Sequence, residues 1–229
     1  MKNSLVIVIG AYGSGKSEYS VNMARKWREG GQEIILADLD VVNPYFRSRT
    51  VSEEFAREGI EVIAPEGSYK HADLPMISPR ILGAIQNLNR TVILDVGGDP
   101  AGCNTLARFV TAITARGYEM HFVVNTRRPF TRNEKEITSM LESLEKASHL
   151  RISHLICNTN LMEYTDADVI KQGIITIDKV AQTRELIFEK FLTLDRYADK
   201  IPDIILHKKK EILKYYLRKP WESPVFRGI

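Results

Sequence analysis

The stretch GAYGSGKS at residues 10–17 decides the fold. It matches the pattern G-x-x-x-x-G-K-[ST], whose glycines let backbone N–H groups curl around phosphate oxygens. The apolar run LVIVIG, at residues 5–10, leads directly into it, and a helix-like stretch begins at about residue 15. A strand before the pattern and a helix after it are the context that the motif requires. The stretch therefore predicts a phosphate-binding loop.

Six residues of this loop are expected to contact the nucleotide: Gly10, Gly13, Ser14, Gly15, Lys16 and Ser17. Lys16 is expected to reach the β- and γ-phosphates and to act in catalysis. The Ser17 hydroxyl is expected to bind Mg²⁺. The first turn of the helix adds partial positive charge at the same place.

Short apolar runs alternate with longer amphipathic segments along the rest of the chain. The runs predict strands at 5–10, 33–38, 61–65, 91–96, 120–125, 152–158 and 174–178. The segments predict helices at 15–29, 50–58, 77–89, 103–115, 133–148 and 179–192. Strands this apolar are covered on both faces, so the pattern predicts an α/β, three-layer P-loop NTPase fold, with a mostly parallel sheet and helices on both faces. We expect a nucleotide-binding domain over 1–194 and a basic helical appendage packed on it over 195–229.

Composition narrows the class of protein further. The chain has 229 residues, with 32 Lys and Arg against 29 Asp and Glu. The excess lies in residues 207–219, which hold six basic side chains and one acidic one, so we do not expect a nucleic-acid binder. The two cysteines form no C-x-x-C pair, and no apolar run is long enough for a signal peptide or a membrane span. These features favour a cytoplasmic location.

Two acidic loops follow predicted strands and should emerge at the ligand-binding edge of the sheet. Asp95 ends the run TVIL in the form of a Walker B aspartate, which would hold Mg²⁺ and act in catalysis. Gly98 has the spacing of the glycine in a D-x-x-G switch, whose N–H can meet the γ-phosphate. Asp40 is placed to position the attacking water, and Asp38 could support the magnesium shell. For each aspartate the alternative is a turn or helix-cap residue.

Three segments together carry a family resemblance: the loop at 10–17, D-x-D-x-x-N-P at 38–44 and the switch that begins at Asp95. In this order they resemble the ParA/MinD-type ATPases, over roughly residues 4–178. The resemblance implies a SIMIBI-class fold, binding of ATP and Mg²⁺, a nucleotide-dependent homodimer and a protein partner. Ala11 stands where that family carries its signature second lysine. Arg47 or Arg49 could supply a replacement cation, and the alternative for both is surface charge.

The base preference depends on residues 158–161, which read NTNL. Guanine-specific proteins carry [NT]-K-x-D here, and this stretch has neither the Lys nor the Asp. In the resembled ATPases an asparagine at the end of this strand contacts adenine, and Asn158 matches that place. We therefore expect ATP rather than GTP, with capping of the next turn as the alternative role of Asn158.

The function favoured by these residues is slow hydrolysis of MgATP that switches loops 38–49 and 95–102 for a protein partner. One alternative is a P-loop kinase for a small molecule, with Arg47, Arg49 and loop 65–79 around the acceptor. Another is a nucleotide-binding protein that does not hydrolyse. Arg127 and Arg128 follow a predicted strand and should point toward the ligand edge.

The C-terminal segment 204–219 intersperses apolar residues with lysines. As an amphipathic helix it could lie on an anionic membrane or dock on the domain with its lysines in water. We favour docking.

Overall fold

The computed structural model describes residues 3–40, 49–64 and 79–217. The strands in this part of the chain are β1 Leu5–Ile9, β2 Ile34–Leu39, β3 Ile60–Ile63, β4 Thr91–Val96, β5 Glu119–Val124, β6 His154–Cys157, β7 Lys190–Leu194, β8 Ile204–Ile205 and β9 Lys208–Leu213. The helices are α1 Lys16–Glu29, α2 Arg49–Arg57, α3 Pro79–Gln86, α4 Pro100–Cys103, α5 Val110–Arg116, α6 Glu134–Ser148, α7 Ala167–Arg184 and α8 Asp195–Ala198.

The strands form one sheet in the order β3-β2-β4-β1-β5-β6-β7-β9-β8. All neighbours pair in parallel except β8 and β9, which are antiparallel. Side chains alternate across β1, so that Ile7 joins one buried core cluster and Val8 joins the other. Burial of each such side chain stabilises the fold by about 1.5–3 kcal/mol. The predicted α/β fold, with a mostly parallel sheet between helices, is confirmed.

The strand register gathers the predicted site residues at one edge. Asp95 of β4 is level with Asp38 of β2 on one side and with Val8 of β1 on the other. Since these strands run in parallel, the loops that leave their carboxyl ends emerge together, at the edge where α/β sheets bind ligands.

Helix α7 corrects two predictions. The predicted strand 174–178 lies inside this helix, and the predicted helix 179–192 ends early, because Lys190–Leu194 forms β7. The run IITID is rich in β-branched residues, which favour strands locally. Tertiary packing overrides this preference, since one buried helical stripe consists of Ile170, Gly173, Ile174, Ile177, Val180 and Ala181. The Asp166 side chain starts the helix by accepting the N–H of Val169 at 2.8 Å.

The helix predicted for the C-terminal appendage is also wrong over 204–217. This stretch contains the hairpin of β8 and β9, which turns at Leu206 and His207, both with positive φ. Lys210 Nζ donates to the carbonyls of Ala198 and Ile201 at 2.8 and 2.7 Å, so this lysine stabilises the fold. The amphipathic helix that would touch a membrane is therefore not formed by the described residues of this segment. None of the helices in the described part of the chain is both long enough and apolar enough to cross a bilayer.

Candidate functional site

The loop between β1 and α1 has the backbone that its glycines predict. Gly13 and Gly15 have φ of 73° and 90°, a region that glycine enters without strain. A Cβ on Gly10 would lie 2.5 Å from both Ser14 Oγ and the carbonyl oxygen of Val123. Residues with side chains at these positions would therefore distort the loop.

The amino end of α1 has no side-chain cap among the described residues. Its N-cap is Gly15, which has no side chain to accept the first N–H groups. Helices α6 and α7, in contrast, are capped by Asn133 and Asp166. Ser14 Oγ is buried and has no hydrogen-bond partner among the described residues. Uncapped amides and an unpaired hydroxyl at a helix amino terminus are the groups that bind phosphate oxygens.

Lys16 lies at the centre of a buried charge cluster. Its Nζ is 3.1 Å from Asp40 Oδ2, and the backbone N–H of Asp40 donates to Asp38 Oδ1 at 2.9 Å. Burial alone would lower the pKa of Lys16, but the carboxylates of Asp95 and Asp40 outweigh it and keep the pKa above its ordinary value. The ammonium group is therefore charged at neutral pH and points among the predicted catalytic carboxylates.

Asp95 is fully buried beside this cluster. Ser20 Oγ donates to its Oδ1 at 3.3 Å, and the Ser17 side chain hydrogen-bonds to it as well. Burial raises the pKa of Asp95 to about 6, although the positive charge of Lys16 opposes this rise. Ser20, which the sequence analysis missed, is recognisable as the residue one helical turn after Lys16.

The raised pKa of Asp95 predicts that Asp95→Asn stabilises the ligand-free protein. The folded state raises this pKa from 3.8 to about 6, so the ionised carboxylate lowers the free energy of unfolding. The destabilisation by the ionised carboxylate develops as pH rises from 3.8 to about 6, and it is fully present above pH 6. Urea unfolding should show the variant gaining about 3 kcal/mol over the parent across the window. Asp199→Asn, at an exposed aspartate, is the matched control. A gain for Asp95→Asn that does not grow with pH would contradict the interpretation.

Gly98 approaches the phosphate-binding loop directly. A Cβ on Gly98 would lie 2.8 Å from the carbonyl oxygen of Gly10 and 2.9 Å from the backbone nitrogen of Tyr12. The next residue, Asp99, caps α4 by accepting the N–H of Gly102 at 2.6 Å. The segment after β4 therefore lies directly against the loop, and a contact of the Gly98 N–H with the γ-phosphate stays a prediction.

Asn158 supports the loop from the end of β6. Its Nδ2 donates to the carbonyl of Ser14 at 2.7 Å, and a Cβ on Gly15 would collide with that same amide. The side chain is therefore held against the loop backbone. A contact of Asn158 with adenine stays a prediction.

The two arginines after β5 differ in their surroundings. Arg128 lies beside the loop, with its Nε 3.5 Å from where a Cβ on Gly13 would be. Arg127 points elsewhere and donates to Gln172 Oε1 at 2.6 Å. Arg47 and most of the 65–79 loop lie outside the described residues, as does the side chain of Arg49.

Comparison with known proteins places this geometry in a fold class. Chloroplast FtsY from Physcomitrella patens matches with a TM-score of 0.57 and 13% identity, over 83% of this chain and 58% of that one. FtsY from Thermotoga maritima matches with 0.57 and 16%, over 82% and 61%. FtsY from Mycoplasma mycoides matches with 0.52 and 16%, over 83% and 59%. This chain thus spans about three-fifths of the length of these FtsY chains.

These matches show that the chain shares the α/β P-loop NTPase fold of the FtsY structures. No protein-family model matches the chain, and no curated protein matches it. The particular resemblance to the ParA/MinD-type ATPases stays a prediction.

Proposed function

We propose that this protein binds MgATP at residues 10–17, hydrolyses it slowly and uses the two nucleotide states as a switch for a protein partner. The observation that carries the proposal is the buried cluster of Lys16, Asp40 and Asp95 at the uncapped amino end of α1. Buried ionisable groups are costly unless they serve a site, and they cluster where charged ligands bind.

Each residue has a separate role in this proposal. Lys16 and the first amides of α1 bind the phosphate oxygens, and Ser14 Oγ gains the partner that it lacks. Ser17 and Asp95 hold Mg²⁺, with Asp38 supporting them; the ion supplies charge neutralisation when bound. Asp40 orients the attacking water once the phosphates draw Lys16 away from it. Catalysis here depends on positioning and charge more than on proton transfer.

ATP is proposed over GTP because of the loop after β6. Leu161 stands where guanine-specific proteins have an aspartate, and its side chain is 42% exposed. An apolar group there cannot accept hydrogen bonds from the guanine edge. The phosphate site does not depend on this choice of base.

Exposed apolar side chains around the site support a protein partner. Tyr12 of the phosphate-binding loop is 76% exposed, and Phe130, after β5, is 70% exposed with a φ of 68°. Leu161 and Tyr164, after β6, are exposed as well. All four follow strands at the carboxyl edge of the sheet, Tyr164 as the last residue of a short 3-10 helix, and exposed aromatic residues of this kind favour protein contacts.

The direct test is titration calorimetry of the full chain with MgATP and MgGTP, followed by phosphate release with and without added metabolites. Tight MgATP binding with slow release that ignores metabolites supports the proposal. Stronger binding of GTP overturns the base preference alone. If neither nucleotide binds, the proposed phosphate site is wrong. ADP formation that requires an added metabolite would favour a kinase.

Substitution of Arg128 is expected to have a smaller effect, measured in the same phosphate-release assay. Its guanidinium lies beside Gly13, where it can reach charge that develops on the phosphates. We expect Arg128→Ala to slow phosphate release about tenfold while MgATP affinity changes less. The neighbouring Arg127→Ala is the matched control, since Arg127 contacts Gln172. Equal effects of the two substitutions would remove Arg128 from the site.

A further inference from the structure

A cavity lies at the end of the sheet opposite the phosphate-binding loop. It has a volume of about 250 Å³ and opens between α1 and the amino ends of β5 and β6. Glu119 and His154 are the first residues of those two strands, and His121 lies near the start of β5. The phosphate-binding loop adjoins the opposite, carboxyl ends of the same strands. This cavity is therefore separate from the nucleotide site.

Three potential metal ligands converge at this cavity: Glu119, His121 and His154. Their ligand atoms all lie within 4.8 Å of one another, and His121 Nε2 is 3.1 Å from Glu119 Oε2. Two ligand atoms that each lie about 2.1 Å from a tetrahedral Zn²⁺ are about 3.4 Å from each other. Side-chain movements of roughly 1 Å would therefore bring the three ligand atoms to the separation that zinc requires. Glu119 is exposed and His154 half-buried, so both side chains have room to make that shift.

The other ring nitrogen of each histidine is already engaged. The Tyr19 hydroxyl lies 3.1 Å from His121 Nδ1, and Ser153 Oγ lies 2.8 Å from His154 Nδ1. These contacts set the orientation of each ring and leave the Nε2 atoms as the ligand positions. Metal-binding histidines are characteristically held in this way by a second hydrogen bond.

The charge around the cavity favours a cation. Its lining includes the carboxylates of Glu119, Glu189 and Glu211 and the ammonium groups of Lys26 and Lys190. Both lysines pair with the single carboxylate of Glu211, at 3.0 and 2.7 Å, and the positive charge of Lys190 also acts on both histidines. Three carboxylates against two ammonium groups still leave the lining with one net negative charge.

We propose that Glu119, His121 and His154 form a binding site for a divalent transition-metal ion of the Zn²⁺ type. Two imidazoles and one carboxylate suit such an ion, whereas Mg²⁺ and Ca²⁺ prefer oxygen ligands. Three protein ligands leave a fourth position that opens into the cavity, as in zinc sites that bind water or a solute. The site is distinct from the Mg²⁺ site proposed at Ser17 and Asp95.

The test is zinc titration of the full chain, purified without a histidine tag, in excess Mg²⁺ so that sites with oxygen ligands are filled. Competition with a chromophoric chelator gives the affinity, and Co²⁺ in place of zinc gives an absorption spectrum that reports its ligands. Cys103 and Cys157 are buried, and burial raises the pKa of their thiols to about 12 and about 11, so they do not compete. We expect one zinc ion per chain.

The variants are His154→Ala and Glu119→Gln, each expected to lower zinc affinity by at least about tenfold. Neither side chain is fully buried, so both variants should fold, as circular dichroism will show. His149→Asn is the matched control, because His149 is exposed and its φ of 56° suits asparagine. Affinity unchanged in both ligand variants, an equal loss in the control, or no stoichiometric zinc binding by the parent would each overturn the proposal.

Discussion

Lys16→Ala lowers MgATP affinity by about a thousandfold, the loss expected when one partner of a buried, hydrogen-bonded charge pair is removed. Lys16 is the basic side chain that lies inside the acidic cluster, 3.1 Å from Asp40. Without it, phosphate would approach the carboxylates of Asp38, Asp40 and Asp95 without the ammonium group that now lies 3.1 Å from Asp40. Calorimetry with MgATP measures the loss, and an unchanged affinity would refute the phosphate site.

The same substitution has a second consequence, for stability. Lys16 lowers the pKa of Asp95, so its removal raises that pKa further and makes the ionised cluster more costly. The variant should fold, but its free energy of unfolding should fall more steeply than that of the parent as pH rises. Lys26→Ala is the control, because Lys26 lies on the same helix with a side chain that is 65% exposed. It should bind MgATP as the parent does.

Asn158→Ala lowers the affinities for MgATP and MgGTP by the same factor, between about tenfold and a hundredfold. The substitution leaves the buried carbonyl of Ser14 unpaired, at a cost of about 1–3 kcal/mol, and removes the support beside Gly15. Both nucleotides depend on the same loop backbone, so both should be affected alike.

Two alternatives give different results in that experiment. If Asn158 also contacts adenine, the affinity for MgATP falls further than that for MgGTP. If Asn158 only caps a turn, neither affinity changes. Asn89→Ala controls for the loss of an asparagine, since Asn89 is exposed and precedes the amino end of β4.

Local chemistry explains what could be predicted from the sequence. The conformation of the loop at 10–17 is determined by its own residues, because glycines stand where φ is positive and a lysine and a serine stand at the first helical positions. Asp38 and Asp95 lie near the carboxyl ends of strongly apolar strands, so the parallel sheet alone predicts that they meet at one edge. None of these inferences needed knowledge of distant contacts.

The remaining features depend on distant contacts. Ile174 and Ile177 are β-branched and favour a strand locally, but they form a helix because α7 buries them against the sheet. Residues 208–213 become a strand because β7 is there to pair with them. Likewise, His121 and His154 meet through the pairing of β5 with β6, thirty-three residues apart in the chain. The spacing of apolar residues along the sequence does not indicate which distant strands pair.

Helix α1 is also held by the far end of the described chain. Glu18 accepts the backbone N–H groups of Tyr216 and Leu217 at 2.6 and 3.2 Å. The Asn22 side chain both donates to the Lys214 carbonyl and accepts its N–H, as a neighbouring strand would. During synthesis these partners leave the ribosome almost two hundred residues after α1. The helix that begins the phosphate-binding site is therefore among the last elements to acquire its full set of contacts, and contacts between such distant residues form slowly.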